Sequence, residues 1–316
     1  MWLIRGLTNL LSRSGHAASV LDQGCVATIG NFDGVHLGHQ TIIDQVRERA
    51  ETLGLPSVVM IFEPQPREFF QGWGAPPRLT EFRQKLEALA SQGVDGVVCL
   101  PFNEQLRQYS GMAFIQQLLI EGLLVRHLVV GDDFRFGCDR SGDFALLEQV
   151  GRTAGYTVEN TRTVTAGGER ISSTRVRNSL IQNELALASE LLGGPYAIEG
   201  RVVYGRQLGR EIGAPTANIR LKHMPALRGV YVVGVECADG AAYDGVANIG
   251  LRPTVDGRGP SLEVHLFDFA GTLYGQRLRV TFLHPLRDEV RFDSVDALKT
   301  QIAQDMRDAR QWLASR

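Results

Sequence analysis

The stretch CVATIGNFDGVHLGHQ, Cys25 to Gln40, decides the architecture of the first half of the chain. A β-branched run, Val26 to Gly30, passes through a glycine-rich turn into a segment of helical period from His39 to Leu53. Working outward, the alternation recurs. Strands are expected at Val58 to Phe62, Gly96 to Leu100 and Leu128 to Gly131, and helices at Phe82 to Gln92 and Met112 to Glu121, with Thr80 and Ser110 as N-caps. Strands alternating with helices from Cys25 to about Thr161 predict a doubly wound α/β domain with a parallel sheet. Ligands of such sheets sit beyond the carboxyl ends of the strands, the position of Gly30 to Gln40.

That turn has a chemistry of its own. His36 and His39 straddle Gly38 near the expected helix start, where free N–H groups and the positive dipole end favour an anion such as phosphate. Gly30, Gly34 and Gly38 let the backbone approach a ligand closely. No third metal ligand accompanies the two histidines, as a zinc site would require. At the far end of the domain, ISSTRVR (Ile171 to Arg177) brings three hydroxyls and two guanidinium groups to another expected helix start, again suited to phosphate. FEPQP (Phe62 to Pro66) and GDDFRFG (Gly131 to Gly137) each follow an expected strand and carry aromatic and carboxylate side chains to the ligand edge.

Composition excludes several classes. A chain of 316 residues with 44% hydrophobic and 22% charged residues is ordinary globular material, long enough for about two domains of ~150 residues. Its net charge of -2 and pI near 6.4 give no basic field for nucleic acid. Only Lys85, Lys222 and Lys299 are lysines, so phosphate contacts fall to Arg, His and backbone N–H groups. Cys25, Cys99, Cys138 and Cys237 lack CxxC spacing and suit the reduced thiols of a cytoplasmic protein. The opening MWLIRGLTNLLSRSG has Arg5 within its apolar stretch and no cleavage pattern of a signal peptide. Glu121, Arg126 and His127 interrupt the most apolar internal segment, Leu118 to Val130, so no membrane association is expected.

Beyond Ser172 the pattern stays helical to Leu192, and Gly193, Gly194 and Pro195 set the expected domain boundary between residues 192 and 193. Short strands follow at Gly200 to Tyr204, Val230 to Glu236, Ala241 to Ile249, Leu262 to Phe269 and Arg277 to Phe282. With no helices between them, they predict an antiparallel barrel. A closing helix starts at Ser294 as N-cap, with Val295, Leu298, Ile302, Met306 and Ala309 as its apolar stripe. In GREIGAPTANI, Thr216 and Asn218 are two apart in an extended segment and face the same way, two neutral oxygens able to hold Mg²⁺ beside nucleotide phosphates. Glu263 and His265 share one face of their strand, while Leu262, Val264 and Leu266 take the other.

Taken together, these strings resemble a known family. GVHLGH in its strand-loop-helix setting resembles the HxGH signature of nucleotidylyltransferases. PTAN, NIGLRPTV, LEVHLFDF and LYGQ follow in the order found in riboflavin kinases. From about residue 15 to 310 the chain resembles the prokaryotic FAD synthetase family, bifunctional riboflavin kinases and FMN adenylyltransferases. The resemblance implies an enzyme that takes riboflavin, FMN and ATP and makes FMN and FAD with Mg²⁺. It assigns His36, His39, Ser173, Thr174 and Arg177 to ATP phosphates, with Gly30, Asn31 and Asp33 also at the nucleotide. Phe62, Pro64 and Asp133 fall to the FMN edge. Gly205, Gly209, Thr216, Asn218 and Arg287 fall to the kinase nucleotide and flavin, with Arg291 competing with Arg287, and Glu263 to the catalytic carboxylate. Gln65 departs from the histidine of many members and receives no essential role. A monomer or weak oligomer is expected, with no protein partner indicated.

The two reactions need different groups. FMN is already largely dianionic at neutral pH, its second pKa being ~6, so adenylylation calls for charge relief rather than a base. A ribityl alcohol must lose a proton during phosphorylation, so that half needs one. Two alternatives use parts of the same pattern. An adenylyltransferase for pantetheine phosphate or nicotinate mononucleotide would have no place for PTAN and EVHL. A flavin-sensing regulator would have no use for Glu263 beside Thr216 and Asn218.

Overall fold

The computed structural model describes residues 1–12, 16–204, 215–254 and 257–316. They form two compact units, Met1–Pro76 with Phe82–Ile171, and Pro77–Glu81 with Ser172–Arg316. In the first unit, strands β1 (Trp2–Arg5), β2 (Cys25–Ile29), β3 (Ser57–Phe62), β4 (Gly96–Leu100), β5 (Val125–Val130) and β6 (Thr157–Asn160) make one sheet. Its order is β1-β4-β3-β2-β5-β6, and every pairing is parallel.

Every residue of β2, β3 and β4 is buried, because helices cover both faces of such a sheet. Alternate residues feed two cores. Ala27, Ile29, Met60, Val98, Leu128 and Val130 pack with Phe114 and Leu118, whereas Val59, Ile61 and Val97 pack with Ile43 and Leu89. The helices are α1 (Leu7–Leu11), α2 (His16–Leu21), α3 (Leu37–Leu53), α4 (Pro66–Gln71), α5 (Phe82–Ser91), α6 (Glu104–Arg107), α7 (Gly111–Phe114) and α8 (Phe144–Ala154). A hairpin of β7 (Thr165–Ala166) and β8 (Glu169–Arg170) ends the unit. Strand order reverses between β2 and β5, which puts the topological switch point where β2 runs into Gly30 to Gln40.

Several local expectations change. Helix α3 starts at Leu37, two residues before His39, because His36 is its N-cap. Helix α5 begins at Phe82, and Thr80, two residues before it, is a buried residue of the second unit. Ser110 does cap α7, accepting from the Ala113 N–H at 3.1 Å, but Ile115–Gly122 continues as a π-helix instead of an α-helix. Edge strand β1 has no counterpart in the sequence reading.

The second unit begins with α9 (Ser173–Ile181) and α10 (Leu185–Leu192). Strands β9 (Ala197–Val203), β10 (Ala217–Arg220), β11 (Gly229–Cys237), β12 (Ala242–Thr254), β13 (Gly257–Leu266) and β14 (Arg277–Arg287) close into an antiparallel barrel of order β10-β13-β12-β11-β14-β9. The β9–β10 pairing seals it. Four-residue β10 is a sixth strand where the sequence reading had only an extended segment. Helix α11 (Val295–Ala314) is capped by Ser294 as expected. Its Ala309, Met306, Trp312 and Leu313 pack on Val232 and Phe267, but Val295 is 62% exposed and drops out of the stripe. No helix among the described residues is long and apolar enough to cross a membrane.

Candidate active sites

The loop from β2 to α3 is bent tightly. Phe32 (φ 46°), Gly34 (φ 87°) and Val35 (φ 41°) all occupy left-handed backbone, a conformation rare for a bulky or β-branched residue. Phe32 and Val35 are buried, so packing holds the bend. The His36 Nδ1 accepts the His39 N–H at 3.2 Å, so the neutral ring carries its proton on Nε2 as a donor. The two imidazoles stack with centroids 3.6 Å apart. Gly38 fits under them, since a Cβ there would lie 3.2 Å from the His36 ring and 3.2 Å from the Ile171 carbonyl oxygen. Asp33 is only 1% exposed, inside the loop, while Asn31 is exposed.

Beside this loop opens a cleft of about 780 Å³. It joins three of the strings singled out in the sequence: Gly30 and Asn31, Phe62 and Pro66, and Phe134 to Gly137. Its walls are aromatic. Phe62, Phe70 and Phe102 meet edge to face at 5.6–6.0 Å, and Phe134 stacks on Phe136 at 5.4 Å. Arg67, Arg107 and Arg135 also line it. Neither Pro64 nor Asp133 is in the lining; Pro64 is exposed, and exposed Asp133 pairs with Arg170 at 3.3 Å. Gln65 has a structural task as N-cap of α4 in a capping box with Glu68. The sequence reading missed Phe102, Arg107 and Tyr109, although PFNEQLRQY directly follows the carboxyl end of β4.

Behind the loop, Glu159 of β6 accepts from Gln45 at 2.6 Å and Arg49 at 2.9 Å, and lies 3.2 Å from His127 Nε2. Burial alone would raise its pKa, but these hydrogen bonds and charges bring it below the usual carboxylate range. Burial holds His127 below the usual imidazole value despite the nearby carboxylate.

In the second unit, Ser172 caps α9 by accepting from the Arg175 N–H at 3.2 Å, so Ser173 and Thr174 open the helix. Arg177 donates its Nε to the Pro77 carbonyl at 2.7 Å.

Barrel register aligns the other set. Asn218 of β10 and Asn248 of β12 are the direct neighbours of Glu263 on β13, forming one row across three strands. Side chains directly opposite in antiparallel strands have Cβ atoms about 4.5–5.5 Å apart and share a face. Leu262 and Val264 are buried on the opposite face. His265 Nδ1 lies 2.9 Å from the Pro215 carbonyl, one residue before Thr216. Asn248 was quoted within NIGLRPTV but not singled out; only strand register gives it this position. Arg287 makes a fork on Asp305 of α11, 2.9 Å from Nε and 2.7 Å from Nη2. Gly205 and Gly209 lie outside the described residues.

Residues 19–175 match the family model of FAD synthetase, and residues 192–313 that of riboflavin kinase. A bifunctional riboflavin kinase/FMN adenylyltransferase of Pseudomonas fluorescens is 54% identical over 98% of this chain and 97% of its own length. One of Escherichia coli K12 is 48% identical over 99% and 98%. A solved structure from Streptococcus pneumoniae, named as a macrolide-efflux protein, superposes with a TM-score of 0.73 at 32% identity, covering 92% of this chain and 95% of that one. The chain belongs to the bifunctional riboflavin kinase/FMN adenylyltransferase family, its FAD synthetase domain preceding its riboflavin kinase domain.

Proposed function

We propose that this bifunctional enzyme, which phosphorylates riboflavin and adenylylates FMN, runs the two reactions on two separate sets of side chains, divided near residue 192. Glu263 is the general base for the ribityl hydroxyl. The cross-strand row of Asn218, Glu263 and Asn248 carries this reading, because it sets a carboxylate between two amides on the face away from the buried Leu262 and Val264. Thr216 and Asn218 offer neutral hard oxygens, and no group of three or more His, Cys, Asp or Glu among the described residues could hold a metal. That donor set suits Mg²⁺, which binds through one or two protein ligands together with substrate phosphates. Bound there, the ion would neutralise charge on the triphosphate.

FMN binds in the aromatic cleft of the first unit, whose volume lies within the ~300–1,000 Å³ of small-molecule sites. Gly30, Asn31 and Phe62 line it, and Pro64 and Asp133 act from its margin. His36 and His39 donate to ATP phosphates, the former through Nε2–H; Asp33 fixes the loop that carries them. Ser173, Thr174 and Arg177, at the start of α9, are assigned to ATP phosphate by the family resemblance. Arg287 serves the kinase by anchoring the end of β14 to α11. The enzyme works in the cytoplasm as a monomer or weak oligomer. Incubation with riboflavin and Mg-ATP, followed by chromatographic separation of flavins, tests the scheme: FMN should form first and FAD after it. Riboflavin left unconverted would sink it.

A further inference from the structure

Five residues, Pro77–Glu81, leave the first unit in sequence but belong to the second in space. Their backbone is tied down at successive points. The Pro77 carbonyl accepts from Arg177 Nε at 2.7 Å, the Arg78 N–H donates to the Met224 carbonyl at 3.0 Å, and the Leu79 carbonyl accepts from Tyr196 Oη at 3.1 Å. Arg78 bridges Pro225 as a strand would, and Arg78, Leu79 and Thr80 are all buried.

At the end of this strap, the Glu81 carboxylate accepts from the Lys222 N–H at 3.2 Å, the His223 N–H at 3.3 Å and the His223 ring at 3.1 Å. Burial works against its charge, but these donors hold its pKa below the usual range, so it is ionised at neutral pH. Lys222 and His223 begin two residues after β10, the strand that carries Asn218 beside Glu263. Two consecutive backbone N–H groups on one carboxylate oxygen fix the chain where it leaves that strand, and hydrogen bonds to a charged acceptor are the strong ones.

We propose that Glu81, contributed by the first half of the sequence, is a positioning residue for the riboflavin kinase reaction: it clamps the Lys222–His223 turn and thereby sets the register of Thr216 and Asn218 toward ATP. This rests on the reading of Thr216 and Asn218 as nucleotide ligands. It also means that a fragment starting near residue 193 lacks part of its own kinase unit.

The test uses the full chain, with phosphorylation of riboflavin measured at varied ATP and adenylylation of supplied FMN measured in parallel. Glu81→Ala should raise the kinase KM for ATP and lower kcat/KM by roughly tenfold, the scale of a lost charged hydrogen bond. Glu81→Gln, which keeps an acceptor oxygen, should fall between Ala and parent, and adenylylation should stay within about twofold in each. Unchanged kinase constants, equal loss of both activities, or a lower kcat at constant KM would each overturn the proposal, the last marking only a smaller folded fraction. If Glu81→Ala does not fold, His223→Ala decides: it removes one of the three donors, and a rise in KM for ATP supports the clamp while its absence refutes it. Asn218→Ala is run alongside. If it raises KM for ATP and the Glu81 variants do not, the clamp alone fails; if none does, the nucleotide reading of β10 fails and the clamp with it.

Discussion

The two halves build their sites from opposite kinds of backbone. In the first unit the functional groups sit on a loop forced through left-handed conformations at Phe32 and Val35, each of which costs about 1–3 kcal/mol and is held by burial of the same residues. In the second they project from barrel strands in regular register, where a neighbour two residues away or directly across needs no strain to share a face. A loop-built site should therefore be sensitive to backbone shape, and a strand-built site to the chemistry of single side chains.

The sharpest test of that contrast is Glu263→Gln. The substitution keeps size and hydrogen bonding but removes the basic oxygen, so riboflavin phosphorylation should fall roughly 10²- to 10⁴-fold with riboflavin binding little changed. FAD synthesis from supplied FMN should continue. A near-parental kinase rate would move the search for a base to His265, on the same face of β13.

Next in size, His36→Ala or His39→Ala should lower FMN adenylylation by about 10²- to 10³-fold, the range for losing one preorganised donor to developing charge. FMN formation should be unaffected. His36 has a second task as the cap of α3, so its replacement should also lower thermal stability by about 1 kcal/mol, and that of His39 should not. Loss of both activities in either variant would make these histidines structural.

Much of this was legible in the sequence because the signals were local. The βα alternation, the Ser110 and Ser294 caps and the facing of Glu263 follow from period and side-chain type within a few residues. The misses arise from contacts distant in sequence. Edge strand β1 is only four residues long and pairs with β4, more than ninety positions away. The Pro77–Glu81 strap looks like a proline-bounded linker into α5, and only tertiary contacts assign it to the other unit. The partner of the Arg177 Nε is likewise hidden in the sequence, since the Pro77 carbonyl lies a hundred residues back. Phe102 and Tyr109 escaped because aromatic residues after a strand look like ordinary core until the cleft brings them beside Phe62 and Phe134.

A smaller effect separates the two backbones directly, using one methyl group in each. Gly38→Ala puts a Cβ 3.2 Å from both the His36 ring and the Ile171 carbonyl, so the capping histidine must move by a few tenths of an ångström. Adenylylation should drop by about tenfold, because misplacement on the ångström scale costs up to about 10²-fold. Gly234→Ala in the barrel meets nothing nearer than Leu283 Cδ1 at 3.9 Å and should leave phosphorylation within about twofold. Equal tolerance at the two glycines would remove the distinction between loop-built and strand-built sites.

The smallest effect is the dependence of stability on pH that His127 and Glu159 give the first unit. Burial depresses the His127 pKa below its unfolded value near 6.5, with Nδ1 2.6 Å from Thr157 Oγ1 and Nε2 3.2 Å from Glu159. The unfolded chain therefore takes up this proton first as pH falls, so the stability contributed by neutral His127 is present above about 6.5 and is lost below it. Glu159 also has a lowered pKa, and its contribution is present above its unfolded value of 4.5 and lost as pH falls through the folded one. The windows are distinct: of these two groups, only the histidine titrates differently in the folded and unfolded chain between pH 7.5 and 5. Hydrogen exchange of the β5 and β6 amides, followed across that range, should show protection declining with acidity in the parent and a flatter profile in His127→Gln, after correction for intrinsic exchange rates. The barrel amides should follow the same course in both proteins. A parental profile in His127→Gln would mean that the sheet edge draws its pH response from another group.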